Sequence, residues 1–203
     1  MSKQLEVWEG EFGKAYTDRN NVDWRQRLNA FTRMLANNEI KSVLEVGCNK
    51  GHNLVAISKV LGPESELVGL EPNRYAMDIA KQTCPGISFM HGNALDIPFK
   101  DDFFDLVFTS TVLIHISLED LPFVMSEIHR TSRRYILAIE YFAEEETPIH
   151  YRGNDELLWK RDFLKHYKTL FPKLSLRDSG YWDANDRFDR THWYLLEKPR
   201  TEQ

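Results

Sequence analysis

Two glycines, Gly47 and Gly51, mark a turn where an apolar stretch meets helix-spaced apolar residues. The residues before the turn, 42–46, read as a short buried strand. Glycine lets the backbone turn sharply and approach a ligand that a β-carbon would exclude, and the following helix offers free N–H groups beside it. The pattern predicts a nucleotide-binding strand-turn-helix. Asn49 stands where the dinucleotide fingerprint G-x-G-x-x-G has its second glycine, which argues against NAD.

A carboxylate follows at a distance that suits a ribose. The apolar stretch 67–70 reads as a buried parallel strand and ends in Glu71, with Pro72 next. Two adjacent ribose hydroxyls are donors that one carboxylate can accept together. Because the end of the second strand lies over the first turn in a doubly wound sheet, we expect Glu71 and Pro72 beside a nucleoside. The alternative is a residue near the N-cap of the next helix.

Two further segments extend this cofactor-binding pattern. Glu45 is an acidic residue on the first strand, and Gly92, Asn93 and Ala94 follow the third strand. With the G-x-x-x-G turn, they resemble motif I and the G-D-A adenine segment of class I S-adenosylmethionine (SAM) dependent methyltransferases. Asn93 replaces the usual aspartate; an amide can still bond an adenine edge, and a turn-forming Asn is the alternative. The resemblance implies SAM as the cofactor, bound by Glu45, Gly47, Asn49, Gly51, Glu71, Pro72, Asn93 and Ala94.

The fourth strand, 104–110, leads into a segment with a candidate base. Residues 109–116 read Thr-Ser-Thr-Val-Leu-Ile-His-Ile, on the edge where a methyl acceptor would meet the sulfonium, so we expect Thr109 beside the cofactor. Methyl transfer from SAM is an in-line displacement that mainly needs positioning and exclusion of water. If the acceptor must lose a proton, His115 is the leading candidate base, because an unperturbed histidine has a pKa of about 6.5. The alternative is a histidine that only closes the cavity.

Aromatic and charged residues are concentrated near the N-terminus, at 8–20. Gly10 and Gly13 make this segment a poor uninterrupted helix, and aromatic rings beside Arg19 suit a flap that covers cofactor or substrate. We therefore expect Tyr16 and Arg19 to contact the cofactor. The alternative is an amphipathic helix packed against the edge of the sheet.

A second polar and aromatic set follows the fifth strand, 135–141. Glu140 and Tyr141 end that strand, where they could bond an acceptor hydroxyl or amine, so both are candidate catalytic residues. Arginines further along could hold a carboxylate or phosphate with forked donors. The candidate acceptor-binding residues are Tyr151, Arg152, Lys160 and Arg161. The alternatives are packing for Tyr151 and a solvated helix pair for Arg161 with Asp162.

Apolar strands alternate with helix-period segments, which predicts an α/β fold with a mostly parallel sheet covered on both faces. Helices are expected at 53–61, 73–83, 118–131 and 155–170. Strands are expected at 42–47, 66–71, 87–90, 104–110, 135–141, 174–181 and 192–198, and a charged loop at 183–190. This is a Rossmann-like class I methyltransferase fold with a seven-stranded sheet and an antiparallel terminal strand. We expect one domain overall, with a helical flap region at 1–40 and the methyltransferase domain at 41–203.

Composition supports one compact enzyme domain. The chain has 203 residues, 42% of them hydrophobic, and a net charge of −5. Lysines and arginines are scattered, so no basic stripe for nucleic acid is visible. Cys48 and Cys84 have neither disulfide nor metal-ligand spacing, and we expect no metal. Because nothing reads as a signal sequence or a membrane span, we expect a cytoplasmic protein without a membrane partner.

Six motifs along nearly the whole chain point to a narrower family. They are W-x-G-x-F-G-x-x-Y-x-x-R-N at 8–20, Leu-Ile-His-Ile at 113–116, Arg-Thr-Ser-Arg-Arg-Tyr-Ile-Leu at 130–137, Glu-Tyr at 140–141, Tyr-Arg-Gly at 151–153 and Lys-Arg-Asp-Phe at 160–163. Together they resemble the bacterial pseudaminic acid biosynthesis-associated methylases. The resemblance implies a small acceptor such as a nonulosonic acid, a sugar nucleotide or a related surface-polysaccharide precursor. The alternatives are an amino-acid or peptide methyltransferase, with Glu140 toward a cationic acceptor, and a non-catalytic SAM-binding partner protein.

Overall fold

A computed structural model describes residues 2–183 and 188–199. Within these residues the helices are α1 (Lys3–Glu9), α2 (Glu11–Arg19), α3 (Leu28–Leu35), α4 (His52–Leu61), α5 (Arg74–Thr83), α6 (Leu121–Thr131) and α7 (Phe163–Leu170). The strands are β1 (Ser42–Val46), β2 (Glu66–Glu71), β3 (Ser88–His91), β4 (Phe104–Ser110), β5 (Ser132–Glu140), β6 (Thr147–Pro148), β7 (Trp159–Lys160), β8 (Ser175–Tyr181) and β9 (His192–Glu197). Short 3₁₀ helices span Trp24–Arg27 and Leu113–His115.

Seven of the described strands form one sheet in the order β3-β2-β1-β4-β5-β9-β8. Strands β1 to β5 pair in parallel, whereas β9 runs antiparallel to both β5 and β8. The predicted Rossmann-like α/β fold with its antiparallel closing strand is therefore confirmed. The connection order reverses between β1 and β4, and a reversal of this kind opens a crevice outside the carboxyl ends of the strands.

The sheet is buried on both faces. On one face Phe31 of α3 and Ile57 of α4 pack with Phe108 of β4; on the other, Val124 of α6 and Phe163 of α7 join a second apolar cluster. Every residue of β1 is buried, which is typical of a central parallel strand. The ends of these rigid strands consequently fix the side chains at the crevice.

The predicted helix at 155–170 is wrong in its first half. Helix α7 begins only at Phe163, because the Asp162 side chain accepts a hydrogen bond of 2.9 Å from the backbone N–H of Lys165 and caps the helix. Upstream, β7 pairs with β6 instead of entering a helix. Leu157 and Leu158 are buried, although their backbone is not helical. The apolar side chains of this segment are therefore buried without a helix.

Other predicted boundaries shift less. The predicted helix at 118–131 begins at Leu121, and the fifth strand begins at Ser132, directly after α6. Of the predicted charged loop at 183–190, residues 184–187 lie outside the described part of the chain. In residues 2–183 and 188–199, no helix has the length and apolar character that crossing a membrane requires.

The N-terminal region contains two helices that meet at Gly10. Gly13 lies inside α2, where an added β-carbon would stand 1.9 Å from the backbone oxygen of Trp8. Glycine at 13 is thus what allows α1 and α2 to approach each other closely. Helix α3 instead packs into the core through Phe31, whose ring centroid lies 6.1 Å from that of Phe108.

Candidate functional site

A cavity of about 170 Å³ opens at the carboxyl ends of β1 and β2, and the N-terminal helices cover it. The loop that follows β4 closes its other side. Among the residues singled out from the sequence, those that line it are Tyr16, Glu45, Gly47, Asn49, Glu71, Pro72, Asn93, Ala94 and His115. The fold therefore brings together most of the predicted cofactor residues and the candidate base.

The turn after β1 has the backbone that its glycines suggested. Gly47 and Gly51 both have a φ of +74°, in the left-handed region that glycine adopts without a steric penalty. A β-carbon on Gly47 would stand 2.7 Å from a methyl of Val112, so the loop after β4 packs directly on this turn. Gly51 precedes α4 and faces Phe89 instead of the cavity. Asn93 uses its side-chain oxygen locally, accepting a 2.9 Å hydrogen bond from the N–H of Leu95.

Glu71 presents a buried carboxylate at the end of β2. Its Oε2 accepts a 2.7 Å hydrogen bond from the N–H of Asn49, and its Oε1 accepts one of 2.9 Å from the N–H of Asn73. Burial raises the pKa of Glu71 to about 7, and these two hydrogen bonds oppose the rise. Since an ionised carboxylate has about four acceptor positions, capacity for two further donors remains.

Glu45, on β1, is 2% exposed and partly without partners. Its Oε1 accepts a 2.6 Å hydrogen bond from the side chain of Asn53, whereas Oε2 has no partner among the described residues. Burial raises the pKa of Glu45 to about 8. Arg27, from the first 3₁₀ helix, donates to the other side of the Asn53 amide and also lines the cavity. Arg27 and Asn53 escaped the sequence analysis, because nothing local ties residue 27 to the end of β1.

His115 faces the cavity from the loop after β4 and is 9% exposed. Its Nδ1 lies 2.5 Å from the backbone oxygen of Leu157. A carbonyl only accepts, so Nδ1 carries the proton, and in the neutral ring the lone pair is on Nε2. Burial lowers the pKa of His115 to about 4, and the ring is therefore neutral near pH 7. Its centroid lies 4.5 Å from that of Trp8 and 5.6 Å from that of Tyr151.

Two asparagines beside Glu71 fasten the N-terminal helices over the cavity. The amide of Asn49 donates a 2.9 Å hydrogen bond to the hydroxyl of Thr17 on α2. The amide of Asn73 lies within hydrogen-bonding distance of three carbonyls at the end of α1, those of Trp8, Glu9 and Gly10, at 3.0 to 3.2 Å. Each of these asparagines also donates its backbone N–H to Glu71. The ribose candidate and the covering helices thus share two residues.

Arg19 and two residues near the ends of β4 and β5 lie outside the cavity lining. Arg19 is exposed. Thr109 is buried beside Glu140, whose carboxylate accepts hydrogen bonds from the N–H groups of Val112, at 3.2 Å, and Ile114, at 3.4 Å. Burial raises the pKa of Glu140 to about 7.

The candidate acceptor residues and Tyr141 are not among the residues that line the cavity. The Tyr151 ring is tilted against that of His115, and the Arg152 guanidinium lies 5.8 Å from the Tyr151 ring centroid. The Tyr141 hydroxyl donates to Asp189, and the Lys160 ammonium is 5.8 Å from the Tyr141 ring centroid.

Arg161 is 1% exposed and does not line the cavity. It donates from Nε to Glu146 at 2.5 Å and from Nη1 to the backbone oxygen of Ile116 at 2.7 Å. A catalytic or acceptor-binding role stays a prediction for Arg161, as it does for Glu140, Tyr141, Tyr151, Arg152 and Lys160.

Comparison with known proteins identifies the central part of this fold. Residues 43–134 match the family model described as a methyltransferase domain. Over these residues the chain is a SAM-dependent methyltransferase domain. It is 27% identical over 120 residues to a demethylmenaquinone methyltransferase of Geobacillus kaustophilus, an alignment that covers 57% of this chain and 49% of that protein. It is 31% identical over 122 residues to an uncharacterised methyltransferase of Schizosaccharomyces pombe, covering 54% and 43%. The chain thus spans about half the length of the curated relatives it matches.

A solved structure extends the likeness to the whole fold. Magnesium protoporphyrin IX methyltransferase from Synechocystis, with bound S-adenosylhomocysteine, superposes with a TM-score of 0.71 at 14% identity, covering 96% of this chain and 98% of that one. At this identity the likeness shows the fold.

The cofactor of the methyltransferase domain is SAM, and the cavity residues fit it. The buried Oε2 of Glu45, without a described partner, suits an ammonium group, and the nearby guanidinium of Arg27 suits a carboxylate. The carboxylate of Glu71 suits a pair of ribose hydroxyls. A β-carbon at Gly47 would fill the space between the turn and Val112. These are the donor and acceptor groups that an amino-acid end and a ribose require.

Proposed function

We propose that this chain transfers a methyl group from SAM to a hydroxyl, or less favourably an amine, of a small polar acceptor. The observation that carries the proposal is the position of His115 on the same cavity as Glu45 and Glu71. The proposal thus joins a candidate base with residues whose side chains suit both ends of the cofactor. The narrower proposal for the acceptor is a nonulosonic acid, a sugar nucleotide or a related surface-polysaccharide precursor, in line with the motifs at 8–20, 140–141 and 151–153.

Methyl transfer requires the protein mainly to position the donor and the acceptor and to exclude water. When bound, SAM supplies an electrophilic methyl group on a positively charged sulfur that leaves as a neutral sulfide. Helices α1 and α2 would exclude water from the cavity through Trp8 and Tyr16, which line it. His115 would accept the acceptor's proton at Nε2, since Nδ1 is committed to Leu157.

The low pKa of His115 constrains this role. Burial holds the pKa at about 4, so the ring is available as a base throughout the neutral range but is a weak one. An ascending limb of the pH-rate profile that reports His115 is accordingly expected near pH 4, below the value of about 6.5 for an unperturbed histidine. For an acceptor that needs no deprotonation, His115 would only close one side of the cavity.

Tyr151 and Arg152, next to His115, favour an anionic acceptor. The Tyr151 ring centroid lies 5.6 Å from that of His115, and the Arg152 guanidinium lies 5.8 Å from the Tyr151 ring centroid. A forked guanidinium one ring away from the candidate base could hold a carboxylate or phosphate of the acceptor. A flat aromatic acceptor is the second candidate, because Trp8, Tyr16 and His115 all present rings to the cavity and one relative is a demethylmenaquinone methyltransferase.

Titration calorimetry followed by a product assay tests the proposal. SAM and S-adenosylhomocysteine should bind and NAD should not. Formation of S-adenosylhomocysteine is then measured with four separate acceptor sets: nonulosonic acids, sugar nucleotides, amino acids or peptides, and quinols. Turnover with an acidic sugar supports the narrower proposal; turnover only with quinols or amines replaces it. SAM binding without turnover on any set favours a non-catalytic partner protein.

Two histidine variants then test the base. His115→Ala should lower turnover by about 10²- to 10⁴-fold while leaving SAM affinity nearly intact. His129→Ala is the matched control, because burial also lowers the pKa of His129 to about 4, yet this residue stacks on Phe171 and is not among the residues that line the cavity. Near-normal turnover of His115→Ala, with an unchanged pH profile, would assign His115 to the wall of the cavity.

A further inference from the structure

We propose that Glu140 and Arg161 are positioning residues that hold the 112–116 loop from two sides and thereby set the orientation of His115. The inference rests on the proposed function, since it assumes that His115 faces the reacting groups. It gives both side chains a role through His115, whereas the sequence suggested direct contact with the acceptor.

Glu140 holds the beginning of the loop. It lies at the end of β5, is 1% exposed and is not among the residues that line the cavity. One carboxylate oxygen accepts from the N–H of Val112 and the other from the N–H of Ile114, at 3.2 and 3.4 Å. These N–H groups belong to the start of a one-turn 3₁₀ helix, where backbone donors lack partners within the helix. A buried carboxylate that accepts two backbone donors stabilises one conformation of the turn.

Arg161 holds the end of the loop. Its Nη1 donates a 2.7 Å hydrogen bond to the backbone oxygen of Ile116, the residue after His115. Its Nε donates to Glu146 at 2.5 Å, and the guanidinium lies 4.9 Å from the Trp159 ring centroid. The ion pair with Glu146 and the contact with the Trp159 ring thus fix the Arg161 side chain, and its Nη1 bonds the end of the loop.

The loop needs such support because its entry is strained and its position is critical. Thr111, with a φ of +55°, is a β-branched residue in the left-handed region, a conformation that persists only where surrounding contacts enforce it. Val112 then packs against Gly47 of the cofactor turn. His115 itself is tied to Leu157, on the segment that leads to Arg161. Both the ring and its tautomer consequently depend on how residues 112–116 and 157–161 are held together.

The charged and titratable groups near the loop come from several elements. Glu140 on β5 and Arg161 after β7 bond the loop, and Tyr151 faces the His115 ring. Tyr167 on α7 lies near Glu140, Glu146 pairs with Arg161, and Asp120 lines the same cavity as His115. Glu140 and Arg161 alone among these make hydrogen bonds to the backbone of 112–116 in the described residues. A change at His115 in variants of Glu140 or Arg161 therefore reports on these two contacts.

Nitrogen-15 NMR of histidine-labelled protein provides a readout that needs no acceptor. The His115 signals are assigned with His115→Gln, and the other histidines serve as internal controls. The wild-type ring should be the Nδ1–H tautomer and should titrate near pH 4. In Arg161→Met and in Glu140→Gln, the loosened loop should give a mixed tautomer, and the pKa of His115 should rise by about one unit or more toward 6.5. Arg161→Lys, which keeps a donor, should restore part of the wild-type signal.

Two further variants guard against a trivial loss of folding. Glu146→Gln weakens the support of Arg161 at a partly exposed position and should shift His115 in the same direction by less. Lys198→Met is the matched control, because Lys198 also grips backbone oxygens, those of His129 and Ser132, at the opposite end of the sheet. It should lower stability and leave His115 unchanged. Folded Arg161 and Glu140 variants with wild-type His115 tautomer and pKa would overturn the proposal. Absence of methyl transfer would overturn only the proposed function, because the NMR signals do not depend on turnover.

Discussion

Buried carboxylates at the ends of neighbouring strands are the groups through which we expect this site to recognise its cofactor. Glu45 and Glu71 are each at most 6% exposed, and burial alone would favour their neutral forms. A cation beside Glu45 or hydroxyl donors on Glu71 would favour the ionised forms instead. Protonation of these two residues and cofactor binding are for that reason expected to oppose each other.

The affinity for SAM should fall as the pH is lowered from about 8.5 to 6. In the free protein the pKa of Glu45 is about 8 and that of Glu71 about 7, so both carboxyls take up protons in this range. Binding to the ionised forms must then displace those protons, at up to about a tenfold loss of affinity per pH unit for each group. Titration calorimetry in two buffers of different ionisation enthalpy measures both the affinity and the protons released.

Variants assign the effect to each carboxyl. Glu45→Gln and Glu71→Gln should each bind SAM more weakly at pH 8.5 and show a flatter pH dependence. Glu127→Gln is a control, since Glu127 also accepts from a backbone N–H, that of Ile97 at 2.8 Å, but is not among the residues that line the cavity. An affinity that stays constant between pH 6 and 8.5 in the wild type would remove these carboxylates from the binding site.

Residue-scale prediction from sequence succeeds where spacing along the chain determines position in space. Glu71 lies on the cavity because the end of β2 must lie near the turn after β1. Glu140 and Arg161 have site-like types and positions, yet their side chains turn to the backbone of 112–116. Sequence cannot show this, because successive strand residues point to opposite faces and a loop can take many paths. Arg27 reaches the site only through the packing of the N-terminal helices.

At the scale of elements, the two N-terminal helices form a cover whose attachment is specific. Asn73 caps α5 by accepting from the N–H of Ala76 and also reaches the last carbonyls of α1. A single residue thus joins the cover to the end of β2. Opening of the cover should be coupled to cofactor binding, because Asn73 and Asn49 also contact Glu71.

Asn73→Ser should loosen the cover while retaining a helix cap. Serine can still cap α5, but it is too short to replace the amide that bonds the carbonyls of Trp8, Glu9 and Gly10. Hydrogen exchange should become faster across α1 and α2, and SAM should restore less protection there than in the wild type. Asn38→Ser is the control, because the side chain of Asn38 also donates to a backbone oxygen, that of Ala36 at 2.8 Å, but in the loop after α3. Unchanged exchange in α1 and α2 would mean that other contacts hold the cover.

Element-scale prediction failed where local pattern and long-range pairing disagree. The segment 155–162 carries apolar residues at helix-like spacing, yet β7 pairs with β6 and Asp162 starts the helix later. The strand-turn-helix at 42–61 was predictable because one short stretch contains its strand, its glycines and its helix. The distinction is between patterns contained in about twenty consecutive residues and pairings that depend on distant residues.

At the scale of the whole molecule, the alternation of strands and helices was enough to predict the sheet. Parallel strands need crossover connections, and the helix-period segments between the apolar runs provide them. The two short strands β6 and β7 were beyond such reasoning, since two-residue strands leave no periodic pattern. The same sheet concentrates buried ionisable groups at one edge, which has a consequence for stability.

The free energy of unfolding of the cofactor-free protein should be greatest between about pH 5 and 6.5 and should decrease toward pH 8. Burial raises the folded-state pKa of Glu45 to about 8 and that of Glu71 and Glu140 to about 7. Between their unfolded value near 4.5 and these values the folded state binds more protons, so stability is lost as the pH rises, at up to about 1.4 kcal/mol per pH unit for each group. For His52, His115 and His129 the folded-state pKa is lowered to about 4, so their contribution is lost as the pH falls below about 6.5. The three carboxyls and the three histidines therefore oppose each other between pH 4.5 and 6.5, and above that range the carboxyls act alone. Urea unfolding from pH 5 to 8 measures the free energy of unfolding. Glu45→Gln should reduce its decrease above pH 6.5. Saturating SAM should also reduce this decrease, because it stabilises the ionised carboxylates. A free energy of unfolding that rises from pH 6.5 to 8 would show that these carboxyls are ionised in the folded protein well below pH 7.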